Sequence, residues 1–185
     1  MLLIPPESPE LFQLVAEWLG RRENYQWLDF DESRQQASRE WLKTAMHRQT
    51  AVLRVFTSDR EYQPIGVVGF NKVNAHFGTA HVWVVLGEKA FGRQGYATRA
   101  VSRLLTHGFE ELGMRAIHAW VVEHNVSLEI VRRLGFTPIG RQRQCHHIDG
   151  RPFDRLWFDL LASEHKELRD EQRDGTRHTD RAVVL

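Results

Sequence analysis

Apolar positions along the 185-residue chain change period several times, and each change marks an element. Leu11, Leu14, Val15 and Trp18 recur at helical spacing behind Ser8-Pro9. Serine can cap there, and proline fits a first turn whose N–H has no partner in any case. Gly20 predicts the stop. Arg21 to Phe30 reads as an irregular segment carrying Tyr25, Trp27 and Phe30. A second helix is expected behind Asp31, with Glu32 favourable near its N-terminus and Trp41, Leu42, Ala45 and Met46 along it, one turn after Ala37 and Ser38.

The period then changes to that of strands. Residues 51–56 and 65–73 read as an antiparallel hairpin, because turn material at Ser58-Asp59-Arg60 and Gln63-Pro64 separates them. Another turn is expected over 74–78. Residues 80–86 (AHVWVVL) are almost continuously apolar, the mark of a strand covered on both faces. A glycine-bearing loop, 87–95, leads into a long amphipathic helix along Ala97, Ala100, Val101, Leu104, Leu105, Phe109 and Leu112 that closes near Gly113. Residues 116–122 predict a further buried strand, 127–134 a short helix stopped at Gly135, and 136–144 with 153–161 a last strand pair around Asp149-Gly150. From Ser163 the chain turns charged and polar. The expectation is one α/β (mixed α+β) domain over 1–162, with a central mixed, mostly antiparallel sheet, one parallel strand–helix–strand unit near 80–122 and helices on both faces. A frayed helix or flexible polar tail is expected over 163–185.

Composition narrows the class. Hydrophobic residues at 42% and charged residues at 26% are the balance of a globular chain. Lys+Arg at 25 against Asp+Glu at 24 leaves a net charge of +1, so the overall field offers no reason to expect a nucleic-acid partner. The single cysteine, Cys145, excludes an internal disulfide and makes the cytoplasm the expected compartment. The opening Met1–Glu7 lacks a basic region and a signal-length apolar run, and no stretch approaches the ~20 apolar residues of a membrane span.

Two stretches carry candidate chemistry. In the first, a buried strand runs into Gly92-Arg93-Gln94-Gly95-Tyr96-Ala97-Thr98, where a long helix begins. The first turn of a helix presents N–H groups without partners and a positive dipole end, glycine allows close approach, and Arg93 adds charge, so a phosphate could sit there. Glycine loops before helices are also common as simple connections. In the second stretch, Glu123-His124-Asn125-Val126-Ser127 ends a strand and starts a helix closing in Leu134-Gly135-Phe136. Asn125 and Ser127 read equally as helix-start residues.

Together these stretches resemble the GNAT superfamily of acyl-CoA-dependent N-acetyltransferases over roughly 8–161. The window Gly92-Arg93-Gln94-Gly95-Tyr96-Ala97 matches the family's Gln/Arg-x-x-Gly-x-Gly/Ala, except that Gly92 stands where Gln or Arg is usual. Ser127 lies eight residues before Gly135 of Leu-Gly-Phe, as the family's Asn-x-x-Ser/Ala would place it, although Asn125 is one residue closer to the serine than usual. The runs GYATRA and IDGRPFDRLWFDLL look most like the ribosomal-protein N-terminal acetyltransferase (RimJ/RimL-like) branch.

The resemblance implies that the strand before the loop splays from its parallel neighbour and takes acetyl-CoA in the gap. It puts Val85, Leu86 and Gly87 against the pantetheine, Arg93, Gln94, Gly95, Tyr96, Ala97 and Thr98 around the pyrophosphate, and Asn125 on the opposite side. The implied reaction is direct attack of a primary amine on the thioester, in a monomer or homodimer without metal. The acceptor would be a peptide N-terminus or a small-molecule amine. Many members carry an acidic tyrosine before Leu-Gly-Phe. This chain has Ile130, Val131, Arg132 and Arg133 there, and Ser127 is the implied substitute. The family's strand glutamate is missing from Ala119–Val122, leaving Glu123, His81, Glu88 or ordered water to take the amine's proton. Arg21 to Asp31 and the turn around His146–Arg151 are the expected acceptor walls. His146, His147 and Asp149 lack any metal-ligand spacing.

Two rival readings remain at this level. One is an acyl-CoA sensor of the same fold without turnover. The other is a dinucleotide-dependent oxidoreductase, against which the order of elements argues, since helices and a hairpin precede the loop.

Overall fold

Alternating and continuous apolar runs assemble one seven-stranded sheet in the computed structural model, which describes residues 1–29 and 51–168. The strands are β1 (Leu3–Ile4), β2 (Val52–Thr57), β3 (Pro64–Asn74), β4 (Thr79–Leu86), β5 (Ala116–Val122), β6 (Thr137–Ile148) and β7 (Arg151–Leu161). Their order is β1-β2-β3-β4-β5-β7-β6. Every neighbouring pair is antiparallel except β4 and β5, so the expected mixed α/β domain and its single parallel unit are both present.

Helices cover both faces. Helix α1 (Pro9–Gly20) begins as expected, with the Ser8 hydroxyl accepting the Leu11 N–H. It buries Val15, Trp18 and Leu19 against Leu53, Val55, Val67, Trp83 and Val85. One turn of helix, α2 (Arg22–Tyr25), follows where an irregular segment was expected. On the opposite face, α3 (Tyr96–Thr106) and α4 (Leu128–Arg133) pack on a larger core that includes Phe56, Phe70, Leu104, Ile117 and Leu160. Successive side chains of a strand point to opposite faces, which is why β4 sends Ala80 and Val82 into one core and Trp83 and Val85 into the other.

Three further differences from expectation are physical. The helix expected to reach Leu112 changes to a wider π-type turn at His107–Glu111. β6 and β7 continue to the Asp149-Gly150 turn rather than stopping at Gln144, with register shifts between Gln142 and His146 taking up the mismatch. Among residues 163–168 the chain is not helical. The Leu168 N–H donates to Ser102 Oγ and His165 Nε2 lies 2.8 Å from Thr106 Oγ1, which holds this stretch against α3. The helix expected behind Asp31, Phe30 itself and the tail beyond Leu168 lie outside the described residues. No described helix is long and apolar enough to cross a membrane.

Gly87 connects the fold to the site. A Cβ there would stand 2.2 Å from the Trp18 indole, which is fully buried and cannot retreat. Only a residue without a side chain lets β4 turn over α1 at this point. Gly87→Ala is predicted to lower the unfolding free energy by about 1–3 kcal/mol, the usual cost of overpacking a core. A urea unfolding curve with an unchanged midpoint would contradict that packing.

Candidate active site

The parallel ladder between β4 and β5 has three residue pairs, Thr79↔Ala116, Ala80↔Ile117 and His81↔His118, and then stops. Beyond His81 each strand stays bound to its outer neighbour, β4 to β3 as far as Leu86 and β5 to β7 as far as Val122. A cavity of about 620 Å³ fills the opening, a size suited to a small-molecule ligand. Its walls reach both sides of the sheet: Arg93, Gly95 and Val101 on the α3 side, Glu23, Trp27 and Leu28 on the α2 side.

Strand parity decides which backbone groups face the opening. Gly87 donates its N–H to the Ile65 carbonyl across an antiparallel pair. Val85 and Trp83, of the same parity, therefore bond to β3, while Val84 and Leu86 turn their N–H and C=O toward β5. Of the three residues expected to offer backbone to a ligand, Leu86 has the right parity. Val85 contributes wall, and Gly87 bonds to Ile65 and accepts from Arg21 Nη1. The Leu86 carbonyl accepts Lys89 Nζ at 2.8 Å. Lys89 also donates to Asn24 Oδ1, lies 3.9 Å from Glu23, and is held below its ordinary pKa by burial.

The cradle at the start of α3 is open. Gly95 is left-handed (φ 79°), no side chain caps the helix, and nothing lies within 4 Å of the position a Gly95 Cβ would take. The amides of the first turn thus have neither helical partner nor cap, which suits a phosphate or diphosphate. Arg93, Tyr96, Ala97 and Thr98 join Gly95 in the cavity wall, whereas Gln94 turns back to the Ala90 carbonyl. This start is tied to the β2–β3 turn. Arg99 grips Asp59 with both Nη atoms (3.0 and 2.8 Å), and the Asp59 N–H donates to the Tyr96 hydroxyl. The Arg99 hydrogen bonds, aided by the Met1 amine, hold the Asp59 carboxyl well below the usual carboxylate range.

On the β5 side the candidate residues separate. Asn125 and Ser127 both line the cavity. Asn125 Oδ1 accepts the Ser127 N–H at 2.8 Å, and the Ser127 side chain makes no capping bond, so its hydroxyl is not spent on the helix start. Glu123 lies outside the wall. Its Oε1 accepts the Asp154 N–H and its own N–H donates to the Asp154 carbonyl, which clamps β5 to β7. Glu88 accepts from Trp18 Nε1 at 2.8 Å.

His81 stands where the ladder ends, 9% exposed and in the cavity wall. Its Nδ1 lies 2.8 Å from Asn71 Oδ1 and its ring stacks on Trp120 (centroids 5.9 Å, 20°). Beside it lies a network absent from the local sequence pattern. Arg155 covers the Trp120 ring at 4.1 Å, donates to Asp29 and to His146 Nδ1, and His146 Nε2 reaches the Gln26 carbonyl. Lys89, Trp120 and Arg155 are the residues that sequence reasoning missed, whereas Gln26, Asp29 and His146 lie in the segments expected as acceptor walls. A lone Trp in the apolar strand 116–122 was the one available signal for Trp120.

Residues 1–137 match the acetyltransferase (GNAT) domain family. The chain is 33% identical over 102 residues to "Uncharacterized N-acetyltransferase p20" of Bacillus licheniformis, a match covering 55% of this chain and 57% of the relative. It is 26% identical over 170 residues to "Putative ribosomal N-acetyltransferase YdaF" of Bacillus subtilis (strain 168), covering 88% and 90%. The fold resembles a point mutant of the spermidine N-acetyltransferase SpeG from Vibrio cholerae, with a TM-score of 0.74, 18% identity, and 88% and 96% of the two chains covered. It also resembles one of the "probable acetyltransferases (GNAT family)" from Chromobacterium violaceum ATCC 12472, with a TM-score of 0.69, 25% identity, and 88% and 83% covered.

The site carries a pH signature. Burial, reinforced by Lys72, His118 and Arg155 and opposed by Asp29, pushes the His81 pKa down from 6.5 to about 4. Between those values the unfolded chain binds a proton that the folded protein does not, so stability is full above pH 6.5 and falls as the pH drops toward 4. The loss from this group is predicted at about 3 kcal/mol across the window. Urea unfolding of wild type and His81→Gln at several pH values should show a shallower slope in the variant. Parallel profiles would contradict the assignment.

Proposed function

The chain belongs to the GNAT acetyltransferase family, and from that premise we propose that it moves an acetyl group from acetyl-CoA to a primary amine by direct attack. The observation that supports this most is the gap between β4 and β5, which opens on both faces and begins beside the uncapped amides of α3. The residues present suit the cofactor: Arg93 and the first-turn amides for the diphosphate, the inward backbone of Val84 and the Leu86 N–H for the amides of its arm. Bound acetyl-CoA supplies an acyl carbon activated as a thioester.

The chain's own groups divide the remaining work. Backbone N–H in the opening can stabilise negative charge growing on the carbonyl oxygen. The Ser127 hydroxyl, free of a capping role, can donate to the departing sulfur. The amine enters from the α2 side. There the described carboxylates Glu23 and Asp29 are each matched by a cation, Lys89 and Arg155. That balance suits an amine that is partly neutral near pH 7 better than a polycation. Peptide α-amino groups, with pKa values of about 7.7–8.0, qualify, and lysine-like amines near ~10.4 do not. A peptide N-terminus is therefore the favoured acceptor, in keeping with the RimJ/RimL-like motifs and with the ribosomal N-acetyltransferase among the relatives. Likeness to a spermidine enzyme at 18% identity concerns the fold and brings no polyamine with it.

Thiol release from acetyl-CoA over a panel of peptide N-termini, amino sugars and spermidine is expected to be fastest with a peptide. Binding of acetyl-CoA without turnover on any amine would replace this reading with an acyl-CoA sensor. Gly95→Glu should abolish acetyl-CoA binding in calorimetry, since it sets an anion against the diphosphate. Unchanged affinity would contradict that cradle. Ser127→Ala should lower kcat roughly 10²-fold, within the range of a proton-donating group, while leaving the Kd for acetyl-CoA near wild type. A fully active variant would exclude Ser127 from the reaction.

A further inference from the structure

Among the described residues, two buried ring nitrogens have no hydrogen-bond partner, His165 Nδ1 and His81 Nε2. His165 lies against Thr106 and Phe109 at the far end of α3. His81 is in the cavity wall. Building on the acetyl-transfer reading, we propose that His81 Nε2 is the group that takes the proton from the acceptor amine.

The tautomer follows from the partner. A carbonyl oxygen can only accept, so the 2.8 Å contact with Asn71 Oδ1 places hydrogen on Nδ1 and leaves a lone pair on Nε2. Burial keeps the ring neutral near pH 7, so that lone pair carries no proton. The two carboxylate alternatives are engaged elsewhere and neither lines the cavity: Glu123 holds the Asp154 amide and Glu88 the Trp18 indole.

Position agrees. His81 belongs to the last β4–β5 pair, at the narrow end of the opening, and shares the parity of Trp83 and Val85, whose side chains lie on the α1 face. That face carries α2, from which the amine enters. Stacking on Trp120, itself covered by Arg155, holds the plane of the ring.

The proton balance is complete. The amine nitrogen forms a bond to the acetyl carbon, the carbon–sulfur bond breaks, and the nitrogen loses one proton to Nε2. Sulfur leaves as thiol with a proton from water, or from Ser127, which regains one from water in turn. A ring so weakly basic cannot deprotonate a free ammonium. It can accept from the nitrogen once the lone pair is committed to carbon, because that nitrogen has become far more acidic. The weak basicity of the ring then favours giving that proton up to water that refills the site as the products leave.

The test compares wild type with His81→Gln and His81→Ala, using acetyl-CoA and the fastest acceptor of the panel. Both variants are expected to lose about 10²-fold or more in kcat, the lower range for general base catalysis, with the Kd for acetyl-CoA changed less than about threefold. Added imidazole should restore part of the rate to His81→Ala and none to His81→Gln, whose side chain still fills the site. A purely structural role would not yield such rescue. If His81→Ala does not fold, His81→Gln and wild type decide the matter alone. In wild type, long-range ¹H–¹⁵N correlations at pH 7 should report the neutral ring with hydrogen on Nδ1. Variants within threefold of wild type, or hydrogen on Nε2, would overturn the role of His81 and leave acetyl transfer intact. A wild-type protein that binds acetyl-CoA yet acetylates no amine would remove the reaction, and this assignment with it.

Discussion

Three residue pairs hold β4 to β5, and the rest of the site depends on there being no more than three. A longer parallel ladder would close the sheet and satisfy the backbone of Val84 and Leu86 internally. A shorter one would cost the two halves of the sheet their common register. The strands can part because each is secured elsewhere. β4 is paired with β3 along its length, and β5 is paired with β7 from Ala116 to Val122. Glu123 then fastens the end of β5 to Asp154 from both its side chain and its backbone. At the other lip, Gly87 lies flush on Trp18, and Arg21 binds the Gly87 carbonyl. Backbone left without a strand partner inside a protein is costly, and these anchors, with Lys89 on the Leu86 carbonyl, keep it in place.

Much of this was readable from residue order. The cap at Ser8-Pro9, the continuous apolar run 80–86 and the glycine stops follow from local rules, and the structure reproduces their elements within a residue or two. The helix start at Gly95 was equally local. Residues that act across the chain were not readable. Arg155 meets Asp29 over 126 positions and Lys89 meets Asn24 over 65, and no periodicity encodes such a meeting. β1 escaped notice because two residues, Leu3 and Ile4, are too few to show a period. Glu123 illustrates the limit from the other direction. Its place at a strand end suggested chemistry, and only the partner strand reveals a carboxylate already in use.

His81 and Ser127 show how one residue type is assigned by its surroundings. Sequence alone left the serine divided between capping and catalysis. The structure gives the capping contact to Asn125, whose shortened spacing to Ser127 lets Oδ1 reach the serine N–H. For the histidine, one of several candidates in the sequence, the structure supplies burial, a place in the cavity wall and a bond to Asn71.

The opening passes through the sheet instead of denting one side of it, with Arg93 and Trp27 on opposite approaches. On the proposed reading, donor and acceptor would therefore occupy the protein simultaneously, each by its own door, with neither product released before the second reactant arrives. Initial-velocity lines for the two substrates would then intersect in a double-reciprocal plot, as a ternary complex requires. On the same reading, an acceptor that presents its tip alone would leave its bulk in solvent, so the cavity's volume would not limit how large that molecule can be.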